Sequence, residues 1–237
     1  APQATAQGDN GVVKTKTFAA GKGGSLDLSV DGGDVRIVST EKGEVVVTAY
    51  GTEEGDFDEL RMELKGNAVR VENFSGSGWS NDMRYEVSVP SQFDLHVKTS
   101  VGAIRIDGPL TGKIVGSTSA GDIQVGNLGG TVELNTSGGD IRTGNIQGDI
   151  HLKTSGGDIK IGAVAGEADV NTSGGDIRVE TVEKTLWAKT SGGNIYVGDV
   201  GGEATLSTSG GNVTVGKVSG SARLNTAGGD IDLEAAT

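Results

Sequence analysis

An aspartate or asparagine returns every 18 positions: Asp122, Asp140, Asp158, Asp176, Asn194, Asn212 and Asp230. A column of side-chain oxygens invites two kinds of chemistry. Glycine-rich repeats with one aspartate per turn hold Ca²⁺ when neighbouring loops supply several oxygens. Some parallel β-helices act on polysaccharides with carboxylates on one outer face, as Asp140, Asp158 and Asp176 would mimic. The metal reading meets a period of 18 rather than nine, one carboxylate per turn, and Asn at two of the positions. The enzyme reading meets a group present in every coil, so no coil is marked as a site. It also meets no long insertion between Thr118 and Gly229 that would build a cleft. The column is therefore read as structural: Asp and Asn cap turns by accepting from nearby backbone N–H groups. Stacked like charges repel, and the adjacent column of Arg142, Lys160 and Arg178 is basic. No metal, no cofactor and no catalytic residue is assigned.

Other candidates are sparse. Thr118, Thr136, Thr154, Thr172, Thr190, Thr208 and Thr226 form a hydroxyl column that could meet a repeating polymer. Parity puts it inward or at a corner, where hydroxyls must find partners between coils. The chain has only two histidines, His96 and His151, no cysteine and no nucleophile motif. Three aromatics are candidate ligand contacts: Trp79 in a Gly/Ser loop, and Trp187 and Tyr196 at outward positions of neighbouring coils.

The elements that must position these residues follow from the repeat "TSGGDI". It stands at Thr136, Thr154 and Thr172, with drifted copies at Thr118, Thr190, Thr208 and Thr226 and a degenerate start, "TSVGAI", at Thr99. Within a coil, Ile141 and Thr143 share one face, then Ile150, Leu152 and Thr154; alternation with period two is the strand signal. Between them Gly144-Asn145 and Gln147-Gly148 are expected to turn the chain, leaving Ile146 alone. The inward positions recur: Ile123 to Ile231 first, Leu128 to Val218 in the middle, Leu134 to Leu224 last. One repeat cannot bury its apolar face, but stacked repeats can, each strand pairing in parallel with its copies. The Gly-Gly of the motif is expected to take positive φ at the sharp turn. The coil from Thr172 departs from the rule, with Glu180 and Lys184 where neighbours have Gly. The expected fold is all-β: a single-stranded parallel β-solenoid of 18 residues per coil, right-handed because parallel crossovers favour that hand.

Before residue 99 the period dissolves. "GEVVVTAYG" and "YEVSVPS" read as strands, and "DELRMELKGNAVRVENF" as a hairpin about Lys65-Gly66-Asn67. The expected organisation is a flexible tail over 1–17, irregular β structure over 18–98 that continues and caps the solenoid, and regular coils over 99–237.

Composition narrows function. With 42 glycines, 4% aromatics and no Gly-X-Y triplet, the chain suits a linear stack rather than a sphere or collagen. A net charge of −12 argues against nucleic acid and anionic membranes as partners. No run of 18 apolar residues is present, so no transmembrane segment is expected. The small, polar start "APQATAQGDNG" reads as a mature end left by signal-peptide removal, although an artificial start would look the same.

The reiterated "TSGGDIxV", the stretch "YEVSVPSQFDLHVKTSVGAIRI" (Tyr85–Ile106) and the earlier "GGDVRI" resemble the bacterial "putative adhesin" family. These are cell-envelope proteins with β-helical repeats and no defined biochemical activity. The resemblance spans roughly Leu26 to Leu233. It implies an exported β-solenoid and adhesion, and offers no site residues to carry over. The expected function is therefore non-enzymatic and structural or adhesive, with an envelope glycan or protein as ligand. The alternative is a polysaccharide-active β-helix enzyme using the outward Asp residues. The last coil, "TAGGDIDLEAAT", leaves a strand edge, which predicts a weak homodimer through it.

Overall fold

Alternating burial runs through most of the strands, and in the periodic region the strands stack on their own repeats. The computed structural model describes residues 4–8, 11–74 and 83–236. They divide into two compact units, Ala1–Gln124 and Val125–Thr237. None of the described residues forms a helix long and apolar enough to cross a membrane.

The second unit is a parallel β-solenoid in which each coil gives two strands. One sheet stacks Ile141–Thr143, Ile159–Val164, Ile177–Val182, Ile195–Val200, Val213–Val218 and Ile231–Ala236, all parallel. The other stacks Val132–Asn135, Ile150–Lys153, Ala168–Asn171, Leu186–Lys189, Ala204–Ser207 and Ala222–Asn225. Register follows the sequence period: Ile159 pairs with Ile177, and Ile177 with Ile195. Ile141, Ile146, Ile150 and Leu152 are buried, as are their counterparts Ile159, Val164, Ala168 and Val170. Burying a large aliphatic side chain contributes about 1.5–3 kcal/mol, so thin but regular doses suffice.

Two expectations about the coil need correction. At the Gly144-Asn145 position the strand is interrupted only in the early coils, where Ile146 makes isolated bridges to Leu128 and Val164. From Ile159 on, the strand runs through it to Val164. The pairing steps from Ile161↔Val179 to Ala163↔Thr181 without a partner at Gly162, so Ile161 and Val164 both point inward. An extra residue at the same place in each coil lets the bulges stack instead of breaking the ladder.

The Gly-Gly pairs also act differently. None of the pairs in the repeats, from Gly138-Gly139 to Gly228-Gly229, has positive φ. A Cβ on Gly193 would lie 2.0 Å from the carbonyl oxygen of Gly175, and one on Gly175 2.1 Å from that of Gly157. The second glycine is required by the close approach of the preceding coil's backbone. The first is not: a Cβ on Gly192 would meet nothing nearer than 3.4 Å.

The threonine column locks the same corner. Thr190 Oγ1 donates to the Gly175 carbonyl at 2.9 Å and accepts from the Gly193 N–H at 3.3 Å. Thr172 and Thr208 repeat both bonds, and all three are buried. Thr143 is different. It stands where the next coil has Ile161, and its buried hydroxyl has no hydrogen-bond partner.

The first unit mixes parallel and antiparallel strands. Gly24–Gly32 pairs in parallel with Ala68–Asn73 and with Phe93–Val101; Phe93–Val101 carries Ile114–Ser117. Arg61–Lys65 closes the expected hairpin on Ala68–Asn73. In the other sheet, Asp34–Thr40 lies parallel to Arg84–Pro90 and Ile104–Asp107. Val45–Gly51 and Gly11–Phe18 add antiparallel strands. Residues 11–17, expected as tail, thus belong to the strand Gly11–Phe18, and Ala4–Gly8 pairs with it. The residues from Thr99, where the sequence period begins, fall in this unit because Ile104–Asp107 pairs with the non-periodic Asp34–Thr40. Tyr85 and Phe93 fill this core; burial pushes the Tyr85 phenol up to about 12, although the Asn73 amide bonds its oxygen at 2.8 Å.

Candidate binding face

Parity sends every second residue of the short-stranded sheet outward, so its surface is a grid of aligned columns. Along one column stand Glu133, His151, Asp169, Trp187, Thr205 and Arg223. Two residues further along each strand stand Asn135, Lys153, Asn171, Lys189, Ser207 and Asn225. Inward neighbours such as Leu152, Val170 and Leu186 are buried and fix each strand's orientation.

Within the first column His151 Nδ1 lies 3.0 Å from Asp169 Oδ2, and both side chains are exposed. Trp187 follows Asp169 and remains 43% exposed. It projects between Asp169 and Thr205, side chains too short to cover an indole. The face therefore combines one apolar ring with amides, hydroxyls, ammonium groups, an imidazole and the carboxylates of Glu133 and Asp169.

Tyr196 belongs to the other sheet, in a column with Arg178 and Thr214. Its ring is half-buried, and the Arg178 guanidinium lies over it at 5.1 Å. Trp187 and Tyr196, adjacent by coil, thus project from different sheets and do not share one ligand surface. Trp79 lies outside the described residues. His96 sits in the first unit, 3.7 Å from Asp27, which Arg70 also approaches at 3.5 Å.

The Asp/Asn column has a defined geometry. Asp140 Oδ1 accepts the backbone N–H of Asp158 at 2.8 Å, and Asp158 Oδ1 accepts that of Asp176 at 2.8 Å. Asp176 does the same for Asn194, Asn194 for Asn212, and Asn212 for Asp230. Asn and Asp are interchangeable here because only the acceptor oxygen is used. Among the described residues, no three His, Cys, Asp or Glu side chains converge as metal ligands.

Sequence reasoning overlooked further members of this ladder. Asn127 Oδ1 accepts from Asn145, Asn145 from Ala163, and Asp149 from Glu167. In the first unit Asp34 accepts from Ala103 and Asp94 from Lys113. The signal for Asp34 was its "GGDV"; Asn127 and Asn145 could have been found from their spacing of 18.

Residues 24–200 match the model of the Toastrack DUF4097 family. No curated protein matches the sequence. Among solved structures, a putative lipid binding protein from Parabacteroides distasonis is similar at a TM-score of 0.57 and 17% identity, with 96% of each chain covered. A putative adhesin from Bacteroides fragilis gives 0.53 at 17% identity, with 93% of this chain and 96% of that one covered. A putative adhesin from Parabacteroides distasonis gives 0.52 at 14%, covering 95% and 98%. Identities this low carry the fold alone.

Proposed function

Because the chain belongs to the Toastrack DUF4097 family, we propose that it is a non-enzymatic adhesive protein of the cell envelope, exported and presenting its solenoid faces to an envelope glycan or protein. The observation that carries this reading is the grid itself. Outward side chains stand in register over many coils, while the Asp/Asn oxygens, the groups best suited to chemistry, hold neighbouring coils together. Relatives in fold described as adhesins and as a lipid binding protein support a surface role. Trp187 is the proposed contact on one sheet and Tyr196 on the other; a ligand on one face meets one of them.

The test is co-sedimentation of purified protein with isolated envelopes and with a cytosolic fraction. Retention by envelopes, weakened by Trp187→Ala, is expected. Equal recovery in both fractions, or release of reducing ends from envelope polysaccharide, defeats the reading.

A further inference from the structure

One column beside Trp187 departs from the chain's overall character. The chain carries 32 acidic and 20 basic residues, and Trp187's own column holds Glu133 and Asp169, the latter 3.0 Å from His151 Nδ1; the column through Asn135, Lys153, Asn171, Lys189, Ser207 and Asn225 contains no carboxylate. Neither Lys153 nor Lys189 has an ion-pair partner among the described residues. The two lysines are two coils apart, so their attachment points are about 9.6 Å apart along the stack. Asn171 lies between them.

The geometry points to an extended anionic glycan as the ligand of this face, lying across the coils with a sugar ring on Trp187 and spaced carboxylates on Lys153 and Lys189. This rests on the envelope-adhesion reading above and names its ligand class. Trp187 and Lys189 are on one strand, two residues apart and on the same side, roughly 7 Å from each other. A pyranose can therefore place its C–H face on the indole and its carboxylate near the ammonium. Asn171 offers both donors and an acceptor to hydroxyl or acetamide groups.

Charge spacing selects among polyanions. A nucleic-acid strand carries a charge about every 3.4 Å, far denser than ammonium groups about 9.6 Å apart. One carboxylate per two linked sugar rings matches that interval. A protein partner would favour a contiguous apolar centre. Here a single indole stands among polar groups.

Titration calorimetry of the full chain with hyaluronan, which has one carboxylate per disaccharide, tests this against its carboxyl-reduced derivative. Hyaluronan should bind and the reduced polymer should not. The double variant Lys153→Gln/Lys189→Gln should weaken binding about tenfold, as should Trp187→Thr, which installs the residue found one coil on. The matched double variant Lys160→Gln/Lys217→Gln, on the other sheet, should leave affinity unchanged, separating local contact from net charge. Circular dichroism checks that each variant folds. Equal binding of the reduced polymer, or equal loss from both lysine pairs, overturns the proposal. Envelope retention without hyaluronan binding sinks this ligand class and leaves the adhesion reading standing; hyaluronan binding without envelope retention does the reverse.

Discussion

Among the described residues, every glycine with positive φ lies in Ala1–Gln124: Gly23, Gly33, Gly66, Gly102 and Gly108. In Val125–Thr237 the glycines keep ordinary φ, and many have the preceding coil's backbone where a Cβ would go. The first unit uses backbone handedness, as hairpins and irregular connections must, and at Gly102 adds close approach to it: φ is 136° and a Cβ would lie 2.2 Å from the Gly33 carbonyl oxygen. The solenoid turns by stacking, each corner resting on the corner before it. The cores differ in the same sense. Tyr85 and Phe93 fill uneven space in the first unit, while columns of Ile, Val and Leu fill even space in the second. One residue type therefore answers two different steric demands, and substitution separates them.

The largest effect should come from Gly193→Ala. Its Cβ would lie 2.0 Å from a backbone oxygen that cannot rotate away, so a loss above about 4 kcal/mol is expected, in the range kept for severe backbone and packing conflicts. Gly192→Ala, one residue earlier, should stay within about 0.5 kcal/mol of wild type. Denaturant unfolding of both measures the contrast, and similar costs would show that stacking does not set the glycine.

Thr190→Val should cost about 2 kcal/mol, because the buried Gly175 carbonyl and Gly193 N–H lose their partner. Thr143→Val reverses the sign. Removing an unpartnered buried hydroxyl should raise stability by about 1 kcal/mol. A destabilised Thr143→Val would mean that the hydroxyl has a partner. Gly66→Ala comes next: its Cβ meets open space, but φ of 64° is strained for alanine, so a cost of about 1 kcal/mol is expected. Gly66→Asn should recover part of it, since Asn tolerates that region better.

The repeat was legible because burial and spacing agree: each inward Ile or Val pairs with the residue 18 positions on, as in Val179↔Val197. The hairpin at Gly66 was legible for its turn residues. The strand through Gly162-Ala163 was not, since the two look like a turn and only the stacking of identical bulges keeps them extended. Parity gave the outward direction of Trp187 and Tyr196. It could not say that they face away on different sheets, because that depends on where the coil folds over between Lys189 and Ile195. The strand Gly11–Phe18 was missed because its partner, Val45–Gly51, is distant in sequence and antiparallel.

The Asp/Asn and Thr links between coils run one way. The carboxyl or amide oxygen belongs to the earlier coil and the N–H to the later one, as between Asp158 and Asp176. The threonine hydroxyl likewise reaches back to a carbonyl already in place. Each coil thus has two chemically different sides along the stack: towards its successor it offers side-chain oxygens, and towards its predecessor it offers backbone N–H groups and a hydroxyl hydrogen.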